Sequence, residues 1–233
     1  MTTDLSNLPT TQSALATSFT QFLTVSVHQI LYLRCIYPRT TFLPVCAYNY
    51  AVRQSRHPRV CEYINDVSTA VGKEMLNGGS ITTVSVIISS MTTNQPMERY
   101  VFDLSSLPRV PASEVNTRFE QRGRDNIVID LEAQFRACLA RLESACARLT
   151  PLSPDDDEFS FTVCIELRED ALPPVLEEQS WIVAEPSADS KRHSSTPPLP
   201  ESGHAKTVPV RRVEAGELRL ELWVEEARQK FNA

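Results

Sequence analysis

His57 and Cys61 are the two residues whose types and spacing come nearest to a catalytic pair. They stand four residues apart in HPRVC, so on a helix they would share one face, as a general base and its nucleophile must. Such catalysis also needs a group that stabilises the developing oxyanion, and the sequence shows none beside them. We therefore favour binding over catalysis. The competing hypothesis is an enzyme that uses Cys61 or Cys164.

The acidic residues and histidines do not form a pattern that predicts a metal site. The run DDDE (155–158) could attract a cation, but such a run just before a predicted strand is typical of a solvated loop. The histidines, His28, His57, His193 and His204, form no cluster with metal-ligand spacing. The sequence also lacks a P-loop, a G-x-S-x-G motif and a G-x-G-x-x-G motif. We predict no enzyme activity, no metal and no cofactor.

Composition bounds the class of protein. The chain has 233 residues, enough for one domain with a real core or at most two small ones, and is 42% hydrophobic and 22% charged, as folded soluble proteins are. Its net charge of −6 disfavours direct binding to DNA phosphates. The six cysteines include no C-x-x-C pair, which predicts free thiols in a reducing compartment. Neither a secretory signal nor an uninterrupted apolar span is evident, so we expect an intracellular protein without a membrane span.

Three amphipathic segments predict three helices. The first, at about 13–35, is apolar round most of its girth, which is typical of a central helix. The second begins at Pro58, stops at NGGS and has a narrower stripe, so it should lie on a surface. The third, at 126–149, has Asp125 or Asn126 as its possible cap.

Period-two alternation predicts strands that form an antiparallel sheet. The predicted strands are a hairpin of 81–88 with 97–104, a single strand at 159–167, and a C-terminal hairpin that turns at Ala215 and Gly216. Pro209 cannot donate to a ladder, so its strand should be an edge. Helices and strands in separate runs indicate an α+β fold.

Three stretches lack any periodic pattern. They are a polar tail at 1–12, a polar loop at 105–126, and a link rich in Ser and Pro at 187–206 that should be mobile. The loop arginines, Arg118, Arg122 and Arg124, could touch DNA in an assembled complex, but a solvated loop is the favoured interpretation.

Trp223 breaks the pattern of its own strand. In LRLELWVEEA the apolar positions alternate with polar ones, and the tryptophan falls on the polar side. A partner that buries the indole would explain it. The alternative is a tryptophan that packs over Arg219 or beneath another part of the chain.

Five segments resemble the HORMA-domain family, and among its members the accessory, non-catalytic subunits of the translesion DNA polymerase zeta, in a fungal or other divergent form. The segments are FLTVSVHQILYLRCIYP, HPRVCEYINDV, FTVCIELRE, SWIVAE and LELWVEEA, in the family's order and at about its spacing. The resemblance implies three helices packed on an antiparallel sheet. It also implies a core at 13–167 and a C-terminal "safety belt" at 168–233 that closes over a bound peptide and includes the link at 187–206.

The resemblance also implies specific partners and residues. Tyr37, Tyr63 and Trp181 match the positions that hold a proline-containing peptide of the polymerase's catalytic subunit. Thr207, Glu221 and Trp223 match the positions that bind the C-terminal domain of the scaffold translesion polymerase, where the family commonly has apolar, amide and tyrosine side chains instead.

The resemblance also has implications for assembly and for subcellular location. Arg136 matches an arginine used for pairing with a second HORMA domain, either a homodimer or a heterodimer, although an exposed helical arginine is more often solvated. An AAA ATPase remodeller and a nuclear location are also implied, with no DNA binding by the chain itself. The alternative function within the family is a spindle-checkpoint or meiotic peptide-binding protein.

Overall fold

The protein is described from a computed structural model in residues 8–78, 80–119, 130–152, 157–169, 171 and 204–231. Its elements are α1 (Gln12–Leu33), β1 (Phe42–Ala47), β2 (Tyr50–Ser55), α2 (Pro58–Leu76), β3 (Ile81–Ser90), β4 (Pro96–Asp103), α3 (Leu131–Cys146), β5 (Phe159–Leu167), β6 (His204–Ala215) and β7 (Leu218–Ala227). The described residues contain no helix long and apolar enough to cross a membrane.

Helix α1 is the central helix that its sequence predicts. Phe19 and Phe22 are fully buried on it, and both rings meet Phe102 of β4 edge-on at centroid distances of 6.3 Å. Thr11 caps the helix, because its hydroxyl accepts a hydrogen bond from the amide of Ala14 at 3.1 Å. Gln12, which the sequence places at the end of a polar tail, is instead the first residue of this helix and is buried.

Helix α3 begins later than predicted. Its cap is Asp130, whose carboxylate accepts from the amide of Glu132 at 3.0 Å, so the helix starts at Leu131. The predicted caps, Asp125 and Asn126, lie outside the described residues. Several Asp and Asn residues could cap here, and the one in use stands directly before the first buried position of the helix.

The hairpin of β1 and β2 was not predicted. Pro44 sits inside β1, and a proline within an apolar run argues against a strand unless that strand has a free edge. Here β1 has one, because it pairs with β2 alone in a two-stranded sheet. Tyr48 and Asn49 turn the chain with φ of 52° and 53°, the positive values that a tight two-residue hairpin turn needs.

The other strands form a single antiparallel sheet in the order β5-β3-β4-β7-β6. The predicted hairpins β3–β4 and β6–β7 are confirmed, as is the edge position of the strand that holds Pro209. The C-terminal hairpin adds to the sheet through β7, which pairs with β4, so β5 and β6 are the two outer strands. The connection from β5 to β6 thus joins opposite edges of the sheet.

Buried charges fix the C-terminal hairpin in this place. Glu98 of β4 and Glu226 of β7 lie directly opposite each other, and neither side chain is exposed. Arg34 donates from Nε to Glu98 at 2.9 Å, and Lys230 donates from Nζ to Glu226 at 2.8 Å and also to Glu98. Arg34 and Lys230, with Lys206 3.5 Å from Glu226, therefore offset the two carboxylates.

Candidate functional site

Along the outer edge of β5, the backbone groups are unpaired among the residues that the structure describes. The amide of Met91 donates to the carbonyl of Glu158 at 2.8 Å, which places that carbonyl on the β3 side. Antiparallel ladders alternate, so the odd-numbered residues of β5 direct their N–H and C=O groups away from β3. These residues are Phe159, Phe161, Val163 and Ile165. Among the described residues, no strand pairs with this side of β5.

The core-facing side of β5 is also incompletely covered. Its side chains Phe159, Phe161, Ile165 and Leu167 remain partly exposed, whereas Val84, Val86 and Ile88 of the adjacent β3 are fully buried. Within the described part of the chain, the apolar layer is thus thinner at this edge than in the centre of the sheet. An additional strand here would bury both backbone groups and apolar surface.

Three aromatic side chains meet at this edge. Phe161 packs edge-on against Tyr63 of α2, with ring centroids 5.4 Å apart, and against Tyr37, which follows α1, at 6.5 Å. Tyr63 is 38% exposed, so its ring is available to a ligand. Burial raises the pKa of Tyr37, and the neighbouring Tyr63 raises it further, so the Tyr37 hydroxyl stays neutral at physiological pH. We call Tyr37, Tyr63 and Phe161 the aromatic cluster.

Two of the three residues predicted to hold a peptide are therefore neighbours. Tyr37 and Tyr63 are brought together by Phe161, which the sequence marked only as one apolar position of a strand. Its place on an edge strand depends on the order of the sheet, and alternation alone does not reveal that order. Trp181, the third predicted residue, lies outside the described residues.

The outer face of the C-terminal hairpin carries the second predicted set. Thr207 lies opposite Glu225, and Trp223 lies opposite Pro209 on one side and Val101 on the other. With the period of two along a strand, Thr207, Glu221 and Trp223 all share the face turned away from the core. Thr207 and Glu221 are exposed.

Trp223 is only partly exposed on that face. Its Nε1 donates to the carboxylate of Glu225 at 2.8 Å, which satisfies the polar end of the indole. Val101, directly across the ladder, is 1% exposed although it also belongs to the outer face. The indole therefore covers part of the sheet and still presents a surface to solvent.

Charges on this outer face are largely paired. Arg99 forms ion pairs with Glu166 and, at 3.7 Å, with Glu225, and its Nε donates to Ser85 at 3.0 Å. Glu221 lies 3.4 Å from Arg212, but both side chains are about half exposed, so this pair contributes little stability.

Arg136 has a partner within its own chain. Its Nη1 donates to the carbonyl of Tyr48 at 3.4 Å and so joins α3 to the turn of the β1–β2 hairpin. Of the loop arginines, Arg118 pairs with Thr11 in an isolated bridge beside the start of α1. Arg122 and Arg124 lie outside the described residues.

The candidate catalytic groups are not arranged for chemistry. The thiol of Cys61 donates to the carbonyl of Ser55 at 3.0 Å, and His57 is exposed at the start of α2. Burial raises the pKa of the Cys164 thiol, which lowers its reactivity. Within the described ranges, no three His, Cys, Asp or Glu residues lie close enough to hold a metal ion.

Comparisons with known proteins identify relatives. Residues 16–170 match the family model for the HORMA domain. The chain is 31% identical over 208 residues to the DNA polymerase zeta processivity subunit of Schizosaccharomyces pombe, covering 89% of this chain and 90% of the relative. It is 29% identical over 215 residues to the mitotic spindle assembly checkpoint protein MAD2B of Danio rerio, covering 90% of each chain.

Solved structures share the fold at lower sequence identity. A chain of the mitotic checkpoint complex superposes with a TM-score of 0.65 at 17% identity, over 91% of this chain and 98% of that one. HTP-2 of C. elegans, solved with a HIM-3 closure motif, superposes with a TM-score of 0.61 at 13% identity, over 94% and 92%. These likenesses show the α+β architecture of three helices on an antiparallel sheet.

Proposed function

The chain belongs to the HORMA-domain family and is a non-catalytic accessory protein, and from that premise we propose that it is an adaptor in translesion DNA synthesis. It would capture a proline-containing peptide of the catalytic subunit of DNA polymerase zeta. It would then bridge that subunit to the scaffold translesion polymerase. The relative from Schizosaccharomyces pombe, a polymerase zeta processivity subunit by name, supports this choice of complex.

The observation that carries the proposal is the edge of β5, unpaired within the described part of the chain, beside the aromatic cluster. An extended peptide can add to a sheet edge through backbone hydrogen bonds, while side-chain contacts select its sequence. Proline-bearing segments are already extended, so they lose little entropy on binding, and aromatic faces pack well on them. Tyr37 and Tyr63 flank Phe161 where such a peptide would lie.

The C-terminal hairpin would hold the safety belt closed by its pairing with β4. It is paired with β4 and leaves β5 available, while the chain between them spans from one sheet edge to the other. In our proposal this connection crosses the bound peptide. Release then requires the hairpin to separate from β4, so dissociation is slower than the contact area alone would give.

The scaffold polymerase would bind the outer face of the hairpin at Thr207, Glu221 and Trp223. The partly exposed indole of Trp223 supports this, because aromatic side chains buried at the centre of an interface contribute roughly 2 kcal/mol or more. Since that face points away from the core and the peptide would bind along the β5 edge, both partners could be bound at once.

Three further assignments belong to the same proposal. Arg136 would contribute to pairing with a second HORMA domain, which requires it to exchange or share its contact with Tyr48. An AAA ATPase would open the belt, and the protein would act in the nucleus. The chain would reach DNA only through its partners.

A second candidate is a peptide-binding role in the spindle checkpoint or in meiosis, favoured by the checkpoint name of the MAD2B relative. A strain that lacks the protein separates the two. The adaptor predicts sensitivity to DNA damage with a normal arrest after microtubule depolymerisation. A lost arrest with normal damage tolerance would support the second role instead.

The adaptor is tested by co-purification with the catalytic subunit and the scaffold polymerase of the same organism. Tyr63→Ala should lose the catalytic subunit and keep the scaffold, whereas Trp223→Ala should do the reverse. Leu43→Ala is a matched control, because Leu43 is also 38% exposed but lies on β1. Loss of both partners with either variant, in a folded protein, would contradict two independent surfaces.

A further inference from the structure

Four arginines lie within or beside the neighbouring elements β1, β2 and α2. The guanidinium groups of Arg39 and Arg53 lie 5.4 Å and 5.1 Å from the centre of the Tyr32 ring, which holds both of them over one side chain. The amide of Arg56 donates to the carbonyl of Thr41 at 2.8 Å, next to the short turn that begins with Arg39. Arg59 follows in the first turn of α2. We call these four arginines the basic patch.

No carboxylate of the described residues neutralises the basic patch. None of the four forms an ion pair there, whereas Arg34, Arg99 and Lys230 are each paired with a glutamate. The start of α2 adds to the positive potential, because its first turn has no acidic residue and the side chain of its cap residue, His57, makes no capping hydrogen bond. A group of four arginines on neighbouring elements is distinctive in a chain whose net charge is −6.

The basic patch borders the aromatic cluster. Arg59 and Tyr63 are four residues apart on α2, so they share one exposed side of the helix. Arg39 is two residues after Tyr37. Glu62 and Asp66 flank Tyr63 on the same helix, so the charge of this surface changes from positive at Arg59 to negative around the tyrosine.

We propose that the captured peptide carries Asp or Glu residues next to its proline-bearing segment, and that these carboxylates bind the basic patch. This rests on the proposed function and names the chemistry of its ligand. Arginine suits the role, since its planar guanidinium binds a carboxylate through two parallel hydrogen bonds. An acidic peptide fits better than DNA, because the patch continues into aromatic side chains and an open strand edge within an acidic protein.

The test is selection of random peptides, long enough to span β5, displayed on phage against the full chain. Wild-type protein should enrich peptides with Asp or Glu close to proline, and Arg56→Glu/Arg59→Glu should lose that acidic enrichment. Arg141→Glu/Arg148→Glu is the matched control, because it makes the same charge change at exposed arginines on and just after α3. Equal acidic enrichment by the wild type and the patch variant would overturn the proposal.

A second measurement fixes the chemistry of binding. The most enriched peptide, compared with its Asp→Asn and Glu→Gln form, should bind about ten-fold more tightly near 50 mM NaCl, and the difference should shrink by about 300 mM. Equal affinities at low salt would also overturn the proposal. So would binding of a single-stranded DNA oligonucleotide that Arg56→Glu/Arg59→Glu abolishes, without any acidic preference among peptides.

The same selection on Tyr63→Ala tells this inference apart from the proposed function. Proline enrichment that depends on Tyr63, without acidic enrichment, refutes the role of the basic patch and supports capture at β5. If proline enrichment is absent from the wild type as well, peptide capture itself fails.

Discussion

Glu98 and Glu226 are two buried carboxylates placed directly opposite each other across β4 and β7, which is unfavourable unless cations join them. Lys230 is the cation that contacts both. Burial alone would raise the pKa of Glu226, but the hydrogen bond and charge of Lys230, together with the Thr150 amide and the charge of Lys206, hold the pKa below its usual value. Lys230, which follows the last strand, thus helps to hold the C-terminal hairpin against β4.

Lys230→Met should destabilise the protein by about 3–5 kcal/mol, because it leaves an uncompensated charge in the core. The free energy of unfolding in urea measures this directly. Lys73→Met at an exposed position of α2 is the control and should change it by about 0.5 kcal/mol or less. A loss below about 1 kcal/mol for Lys230→Met would mean that the buried charges do not hold the hairpin.

His28 makes stability depend on pH. Burial lowers its pKa from 6.5 to about 4, so between these values the unfolded chain binds a proton that the folded chain does not. Stability contributed by the neutral imidazole is therefore complete above pH 6.5 and is lost as pH falls toward 4. The unfolding free energy should therefore fall by about 1–3 kcal/mol less between pH 6.5 and 4 in His28→Gln than in the wild type.

The control for His28 is His57→Gln, since His57 is exposed at the start of α2. Its curve should run parallel to that of the wild type. If the curve of His28→Gln also runs parallel, the buried imidazole is not the group responsible.

At the scale of elements, the central expectation concerns the edge of β5. Val163 directs its N–H outward, so Val163→Pro removes a donor to the bound peptide and leaves the ladder with β3 intact. Val163→Ala removes a similar part of the side chain and keeps the N–H. We expect the dissociation constant for the captured peptide to rise about ten-fold more with proline than with alanine.

Equal affinities of these two variants, measured by fluorescence anisotropy, would show that the peptide does not pair with β5. Circular dichroism verifies that both remain folded. Thr162→Pro is a useful contrast, because residue 162 faces β3 and its replacement should destabilise the sheet itself.

Elements with a strong local pattern could be predicted from the sequence, and those that depend on distant contacts could not. Helix α2, β5 and both predicted hairpins follow from periodicity, a proline at a helix start and turn residues. The β1–β2 hairpin was hidden by Pro44, and the start of α3 by several competing caps. Phe161 and Lys230 acquire their roles from residues far away in the chain, which no local pattern indicates.

At the scale of the whole molecule, the proposal requires two surfaces that act independently. The β5 edge and the outer face of the hairpin share no residue in the proposed sites, so a loss at one should not weaken the other. Trp223→Ala should weaken binding of the scaffold polymerase by about thirty-fold or more, which corresponds to a loss of roughly 2 kcal/mol of binding free energy. Isothermal titration with the isolated partner domain measures it, with Arg219→Ala as a control on the same strand.

Peptide capture along β5 is tested most directly by amide hydrogen exchange, residue by residue, with and without the peptide mapped from the catalytic subunit. The outward amides of Phe161, Val163 and Ile165 should exchange quickly in the free protein and at least about a hundred-fold more slowly in the complex. The inward amides of Thr162 and Cys164, already bonded to β3, should change much less. Outward amides that exchange at the same rate in both states would contradict the account.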